Sequence, residues 1–264
     1  MQIQDQIGHE VILKSKAKFP QRIISLVPSQ TELLVDLGCE EMIVGVTRFC
    51  THPKHIRTSK QIVGGTKDID FDLIHELTPD LIICNKEENN KEDVLSLQKL
   101  YPTYTSDVIS IEDALNMIND IATMIGKLNS GNTLIKSINN DFLQLKNRFS
   151  GTVAYLIWND PVMLAGMNTF INSNLEFLGF TNLTTNVKDR YPLINQSDLN
   201  NKELDYIFLS SEPYPFKEKN RKQFQDQYPK TKVVLVDGRM FSWYGSRLSR
   251  VLEYFNALDK RLSS

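Results

Sequence analysis

The sequence predicts an α/β protein of two lobes, each built on a parallel β-sheet, with one long helix joining them. Three observations predict this fold: short apolar runs recur along the chain, helix-length stretches separate them, and the order of elements repeats in the second half. Near-continuous apolar runs are typical of parallel strands covered on both faces. Their alternation with helices is typical of α/β architecture.

Apolar runs rich in β-branched residues predict the buried strands. They are RIISLVP (22–28), MIVGVT (42–47), DLIICN (80–85), TVAYLIW (152–158), DYIFLS (205–210) and KVVLVDG (232–238).

Helix signals lie between these runs. The stretch SQTE (29–32) follows Pro28 with capping-box spacing, which predicts a helix from there to Gly38. Ser110 precedes IEDALNMINDIATMIG, whose apolar residues share one face and whose last glycine, Gly126, suits a helix end.

A longer amphipathic stretch lies midway along the chain. Residues 131–149, GNTLIKSINNDFLQLKNRF, predict a helix of about 28 Å at the usual rise per residue. The sequence patterns on the two sides of this helix are alike. On the N-terminal side TPDLIIC is followed by LYPTYTSD, and on the C-terminal side KELDYIFLS is followed by QYPKTKVVLVD. This duplication predicts an N-terminal lobe (1–128), a connecting helix (129–150) and a C-terminal lobe (151–264).

Composition limits the class of protein. The 264 residues include 41% apolar and 23% charged residues, with a formal net charge of −2. We therefore expect a soluble monomer with no nucleic-acid partner and no membrane insertion. The amino-terminal stretch lacks the features of a secretory signal, which predicts a cytoplasmic location unless a signal was removed. The odd number of cysteines, three, favours a reducing compartment.

Several loops follow the predicted strands, where ligands bind in open parallel sheets. They are PSQTE, TRFCTHP, GGTKD, NKEENN, WNDPVMLAG, SSEPYPF and GRMFSWYG. With two lobes facing each other, we expect them to line one shared cleft.

The loop TRFCTHPKH contains candidate reactive groups. Cys50, His52 and His55 match no standard zinc spacing, and no second cluster supplies further ligands. Cys50 with His52 as its base is one interpretation. A small apolar cysteine beside a histidine that hydrogen-bonds the loop is the favoured one. The chain contains no GxGxxG, GxSxG, HExxH or P-loop motif, so no catalytic residue is predicted.

Aromatic residues are concentrated in two of the loops. Several aromatic rings, Phe241 and Phe216 among them, lie in the segments FSWYG (241–245) and PYPF (213–216). Aromatic rings in loops at strand ends are suited to stacking on a flat ligand. The alternative is a packed loop core. In NKEENNKED, Glu87 and Glu88 are either solvated or face a cation or hydroxyl groups of a ligand.

Three segments carry a resemblance to a known family: RIISLVPSQTELLVDLG, IVGVTRFCTHP and DFDLIHELTPDLIICN. The chain resembles the helical-backbone substrate-binding proteins of cobalamin and ferric-siderophore ABC importers. The chain shares TRFCTHP, GGTK, NKEEN, EPYPF and WYG with one branch that it resembles, the helical backbone metal receptors, whose members commonly lack a signal peptide. The resemblance covers essentially the whole chain. It implies two Rossmann-like lobes on one backbone helix, the class III periplasmic-binding-protein fold, with little hinge motion.

The resemblance also implies roles for individual residues. Phe49 stands where cobalamin binders place a pocket tyrosine, Tyr191 where they place a tryptophan, and Trp243 near their pocket arginine. Asp72 matches the acidic residue that docks the N-terminal lobe onto the permease. At the second docking position the chain has Ser197 with Asp198 beside it, and Asn85 replaces a pocket tryptophan.

These arguments predict non-catalytic binding of a corrinoid or a ferric siderophore, with an ABC permease as partner and no intrinsic cofactor or metal. The predicted ligand-binding residues are Phe49, Cys50, His52, Lys67, Glu87, Trp158, Met163, Tyr191, Tyr214, Trp243 and Tyr244. The predicted docking residues are Asp72 and Asp198. The alternative is an enzyme or intracellular carrier that uses Cys50, His52 and Glu87 chemically.

Overall fold

The computed structural model describes residues 1–13, 18–195, 199–200 and 203–263. The strands are β1 (Gln2–Gln4), β2 (Glu10–Ile12), β3 (Ile23–Ser25), β4 (Ile43–Val46), β5 (Gln61–Ile62), β6 (Leu81–Asn85), β7 (Thr103–Ser106), β8 (Thr152–Asn159), β9 (Val162–Leu164), β10 (Thr181–Asn182), β11 (Tyr206–Ser210) and β12 (Lys232–Val236). All six strands predicted from apolar runs are present.

The α-helices alternate with these strands, as the sequence predicts. They are α1 (Pro28–Asp36), α2 (Ile56–Ser59), α3 (Phe71–Glu76), α4 (Lys91–Leu100), α5 (Ile111–Met124), α6 (Leu128–Leu145), α7 (Phe170–Leu178), α8 (Glu218–Gln227), α9 (Arg239–Ser242) and α10 (Val251–Ser263). Within the described residues, every helix is too short or too polar to traverse a bilayer.

The chain forms two compact units. The first comprises Met1–Val108, Glu112–Ser137 and Tyr244–Arg247, and the second comprises Ile109–Ile111, Ile138–Trp243 and Leu248–Ser264. The first unit thus includes the short segment Tyr244–Arg247 from near the carboxyl terminus.

The first unit is built on a sheet of five parallel strands in the order β5-β4-β3-β6-β7. Its strands β3 and β6 are buried along their whole length, which agrees with apolar runs that helices cover on both faces. A separate antiparallel hairpin, β1-β2, precedes the sheet. Asp5, in the turn of this hairpin, accepts a hydrogen bond from the backbone N–H of Thr105 at 3.0 Å, which caps the β7 edge.

The second unit is built on its own sheet, in the order β10-β8-β11-β12, with parallel pairing. The short strand β9 departs from the predicted pattern because it returns on β8 as an antiparallel partner. Phe180 and Phe208 pack edge to face at 5.4 Å in the core of this unit. Two separate sheets, each mainly parallel, confirm the predicted fold class.

Two helix boundaries differ from the predictions. Helix α1 begins at Pro28, so its N-cap residue is Val27, whose apolar side chain cannot accept a hydrogen bond, and the predicted cap Ser29 lies inside the helix. The Glu32 carboxylate pairs with Arg247 instead. Helix α6 ends at Leu145, before the predicted end at 149, where Asn147 adopts a left-handed conformation (φ 51°) that stops the helix.

Candidate functional site

The loop after β4 has a buried thiol beneath it. Cys50 is completely buried, and its Sγ lies 3.2 Å from the Thr31 Oγ1 and 3.3 Å from the Thr47 Oγ1. Burial raises the pKa of the Cys50 thiol, and the two hydroxyl contacts offset only part of that rise. Cys50 is among the predicted ligand-binding residues, but its sulfur has no exposed surface to present to a ligand.

The surface of the same loop is aromatic and cationic. Phe49 is 51% exposed, and the Arg48 guanidinium lies 5.9 Å from its ring centroid. Arg48 also forms an ion pair with Asp68 at 2.8 Å. Phe49 therefore offers an accessible ring whose charged neighbour is already held by a carboxylate.

The histidines of this loop do not act as one group with Cys50. His55 is exposed, and its Nε2 lies 2.7 Å from the Glu40 Oε1, at the start of the preceding 3-10 turn. His52 is half-buried and precedes a cis peptide bond to Pro53. Within the described residues, no group of three or more histidine, cysteine or acidic side chains is arranged to hold a metal ion.

Two buried asparagines shape the loop after β6. The Asn85 Oδ1 accepts hydrogen bonds from the backbone N–H groups of Glu87 (2.9 Å) and Glu88 (3.0 Å), while its Nδ2 donates to the Ser106 carbonyl at 3.1 Å. The Asn89 Oδ1 accepts from the Asn85 N–H at 2.9 Å. The loop is thereby fixed by its own amides, with the side chains of Glu87 and Glu88 outside.

The loops after β5 and β6 are joined by a lysine. The Lys67 Nζ donates to the carbonyl oxygens of Glu87 at 2.7 Å and Asn89 at 3.4 Å. The Asn90 Nδ2 donates in return to the Lys67 carbonyl at 2.7 Å. The structure therefore brings together Lys67 and Glu87, two of the predicted site residues, on an exposed edge of the first unit.

Tyr244 lies against these loops within the first unit. Its side chain is buried, with its phenol near Ser29 and Ser106. Burial raises the pKa of this phenol well above its usual value, and the nearby carboxylates of Glu88 and Glu87 raise it further. Tyr244 therefore lies in the same unit as Phe49.

In the second unit, three predicted residues lie together at the end of β8. Trp158 is 40% exposed, pairs in register with Met163 on β9, and packs edge to face on Tyr214 with ring centroids 5.6 Å apart. Its indole N–H donates to the Asp160 carbonyl at 3.1 Å. Tyr214 and Met163 are half-buried. The cluster presents an apolar surface with a fixed tryptophan.

Trp243 follows α9 in the second unit and is also half-buried. The Glu212 carboxylate lies near it and accepts a hydrogen bond from the Ser242 hydroxyl at 3.0 Å. Sequence reasoning missed Glu212, although a polar residue directly after an apolar strand run was the available signal.

The remaining aromatic residues of the two predicted loops belong to the core. Phe241 is fully buried and packs on Phe255 at 5.1 Å, and Phe216 is buried against Phe224. For Phe241 and Phe216 the packed-core alternative is therefore correct, because their rings fill space under the sheet rather than at its edge.

The predicted residues outside these clusters are placed as follows. Tyr191 is half-buried, with the Arg190 guanidinium 5.9 Å from its ring centroid. Asp72 is exposed in the first turn of α3, next to the N-cap Asp70, which accepts from the Leu73 N–H at 3.0 Å. Ser197 and Asp198 lie outside the described residues.

Comparison with known proteins gives a consistent pattern. The family model described as periplasmic binding protein matches residues 23–233. An uncharacterized ABC transporter substrate-binding lipoprotein, YvrC of Bacillus subtilis, is 24% identical over 188 residues, which is 67% of this chain and 58% of that protein. The match thus spans less than two thirds of that relative. The vitamin B12-binding protein of Vibrio parahaemolyticus is 22% identical over 195 residues, 72% of this chain and 70% of that protein.

A solved structure is also similar. The periplasmic vitamin B12 binding protein BtuF of Vibrio cholerae superposes with a TM-score of 0.80 at 17% identity, over 93% of this chain and 98% of that one. The similarity extends over nearly all of both chains, so the two share a fold.

Proposed function

The chain belongs to the periplasmic binding protein family, and we propose that it binds a metal-bearing or aromatic small molecule, a corrinoid or a ferric siderophore. The observation that carries this proposal is the presence of exposed aromatic rings at the carboxyl ends of the strands in each unit. Phe49 is 51% and Trp158 40% exposed there. Aromatic rings at such positions supply large contact areas for a flat or bulky ligand.

The surroundings of these rings support a ligand with both apolar and polar surfaces. In the second unit, Trp158, Met163 and Tyr214 form a continuous apolar cluster. In the first unit, Phe49 is flanked by Arg48, and the nearby edge carries Lys67 and Glu87. Rings beside a few fixed polar groups suit a macrocycle or chelate that carries amide or hydroxyl groups.

Membership of this family confirms the prediction of a non-catalytic binding protein. The buried position of Cys50 agrees with it. Its thiol has a raised pKa and is held by two threonine hydroxyls, whereas a nucleophilic cysteine requires access and a lowered pKa. The alternative chemical role for Cys50, His52 and Glu87 therefore has no support from the thiol.

The relatives support a role in import. One is named as an ABC transporter substrate-binding lipoprotein and others as vitamin B12-binding proteins. We propose that this chain delivers its ligand to an ABC permease, with the exposed carboxylate of Asp72 as one docking point. Asp198 remains the proposed second docking residue. A location in the periplasm or on a lipid anchor suits this role, and the cytoplasmic location expected from the amino-terminal sequence stays a prediction.

The proposal is tested by titrating the protein with cyanocobalamin, dicyanocobinamide, haemin and a ferric hydroxamate siderophore. The chain has two tryptophans, Trp158 and Trp243, both in the candidate loops, so quenching of their fluorescence reports binding. Calorimetry on the same panel checks each quenching result. Saturable binding of a corrinoid or a ferric chelate is expected. If none of the four compounds binds, the proposed function is wrong.

A further inference from the structure

Asn89 is a buried residue of the loop after β6 that connects three strand-end loops of the first unit. It is only 4% exposed. The Asn89 Nδ2 donates to the carbonyl oxygen of Thr66, after β5, at 3.0 Å and to that of Leu26, after β3, at 3.4 Å. Its Oδ1 accepts from the Asn85 N–H at 2.9 Å. The donors and the acceptor of one amide therefore join the loops after β3, β5 and β6 to one another.

The loop after β5 closes as a tight turn over residues 64–69, which we call the 64–69 turn. Gly64 and Ile69 pair as an antiparallel bridge, and the Gly65 N–H donates to the Asp68 carbonyl at 3.1 Å. Gly64 has a φ of 101°, and a Cβ there would lie 2.3 Å from the Asp68 carbonyl oxygen. The turn therefore requires a glycine at 64 in order to close.

The 64–69 turn also lies against the exposed aromatic ring of the candidate site. The Arg48 Nη1 pairs with the Asp68 carboxylate at 2.8 Å, and the Arg48 guanidinium lies 5.9 Å from the Phe49 ring centroid. A Cβ built on Gly65 would lie 3.2 Å from the Phe49 Cε2 and 2.9 Å from the Arg48 Nη1. The backbone at Gly65 is thus close to both groups, so a displacement of the turn would change the surface on which the ring rests.

Two further side chains join the 64–69 turn to the loop after β6. The Lys67 Nζ donates to the Glu87 carbonyl at 2.7 Å, and the Asn90 Nδ2 donates to the Lys67 carbonyl at 2.7 Å. Lys67 is exposed and Asn90 is half-buried, whereas Asn89 and its acceptor Thr66 are both buried. Because water competes less for a buried hydrogen bond, the amide of Asn89 should hold the turn more strongly than the two surface contacts.

We propose that Asn89 is a positioning residue that holds the 64–69 turn, and through it the Phe49 ring, in place before a ligand arrives. Since Asn89 is itself buried, it acts through the turn rather than by touching the ligand. Ordering a binding surface in advance removes part of the entropic cost of binding. The effect on affinity rests on the proposed function, whereas the order of the turn does not.

The order of the turn is tested without ligand by hydrogen exchange in Asn89→Ala. The matched control is Asn182→Ala, which removes a buried asparagine of the second unit. Asn182 is 1% exposed, and its Nδ2 donates to the Ala165 carbonyl at 3.0 Å and to the Asn172 Oδ1 at 2.8 Å. Circular dichroism confirms that each variant is folded, and urea denaturation measures how far each is destabilised.

We expect Asn89→Ala to speed hydrogen exchange at the Gly65 and Asp70 amides about tenfold. These amides donate to the carbonyls of Asp68 and Val63 at 3.1 and 3.0 Å, and they exchange when the turn opens. Asn182→Ala should leave their exchange near the wild-type rate even if it destabilises the protein equally. If exchange in Asn89→Ala is no faster than in Asn182→Ala, the positioning role is refuted.

The consequence for binding is tested with a double-mutant cycle. For whichever compound of the panel binds the wild type, Asn89→Ala should weaken binding about three- to tenfold, the range expected for ordering one side chain. In a Phe49→Ala background the same substitution should have a much smaller effect, because the ring that it positions is gone.

A general loss of stability would instead weaken binding equally in both backgrounds of the cycle. Equal losses, or unchanged affinity in Asn89→Ala, would refute the link between Asn89 and Phe49. If no compound binds the wild type, the proposed function fails, and the exchange measurement alone decides whether Asn89 holds the turn.

Discussion

Glu32 and Arg247 form a buried ion pair although 215 residues separate them in the sequence. The Arg247 Nε lies 2.9 Å from the Glu32 Oε2 and its Nη2 lies 2.7 Å from the Oε1, with both side chains 5% exposed. The pair fastens the segment Tyr244–Arg247 to helix α1 within the first unit. It thereby holds the backbone next to Tyr244 in place.

Arg247→Leu should destabilise the protein by about 3–5 kcal/mol, because it leaves the Glu32 carboxylate buried without its partner. Urea denaturation at neutral pH measures the loss. The double variant Glu32→Leu/Arg247→Leu should recover much of it, since neither charge then remains.

Arg48→Leu is the matched control for this prediction. Its ion pair with Asp68 is equally short, 2.8 Å, but the two side chains are 48% and 62% exposed. An exposed pair of this kind contributes about 0–1 kcal/mol. A loss in Arg247→Leu no larger than in Arg48→Leu would show that the buried pair does not stabilise the first unit.

Asn85→Ala should destabilise the loop after β6 by about 1–3 kcal/mol, because it removes a buried amide that makes several hydrogen bonds in this loop. The backbone N–H groups of Glu87 and Glu88 lose their acceptor. Hydrogen exchange should therefore become faster at residues 86–89. Asn139→Ala, at an exposed position in α6, is the control and should change neither stability nor exchange there. Equal exchange in both variants would contradict the role assigned to Asn85.

The native protein should react very slowly with a thiol reagent such as DTNB at about pH 8, where an ordinary exposed thiol is partly ionised. Its cysteines, Cys39, Cys50 and Cys84, are buried, and burial raises the pKa of each thiol. Unfolding in guanidinium should release all three. Rapid native labelling of Cys50 would instead favour the chemical role. Cys50→Ser should bind ligand as tightly as the wild type, since the sulfur is not accessible.

Trp243→Ala and Phe49→Ala should each weaken ligand binding by about 1–3 kcal/mol, comparable to losing one aromatic stacking contact. Titration of each variant with the compound that binds the wild type measures the change. Leu100→Ala, which removes an exposed apolar side chain at the end of α4, should leave affinity unchanged. Wild-type affinity in both aromatic variants would refute the assignment of these rings to the ligand site.

Several features of this protein were predictable from local pattern. Strand β6 and strand β12 lie where apolar runs predicted them, because parallel strands covered on both faces need continuous apolar sequence. Motifs such as RIISLVPSQTE and TRFCTHP identified the family, which the match over residues 23–233 confirms. Such signals lie within a few neighbouring residues, so they can be read without a structure.

Other features were decided only by the tertiary structure. The spacing of Glu32 suggested a capping box, yet its carboxylate pairs with Arg247 from the far end of the chain. Cys50 resembled a surface ligand in sequence and is buried under Thr31 and Thr47. Glu212 was not among the predicted residues, and its hydrogen bond from Ser242 is visible only in the structure. Each of these roles depends on a partner that is distant in the sequence, and local periodicity carries no information about which distant side chains will meet.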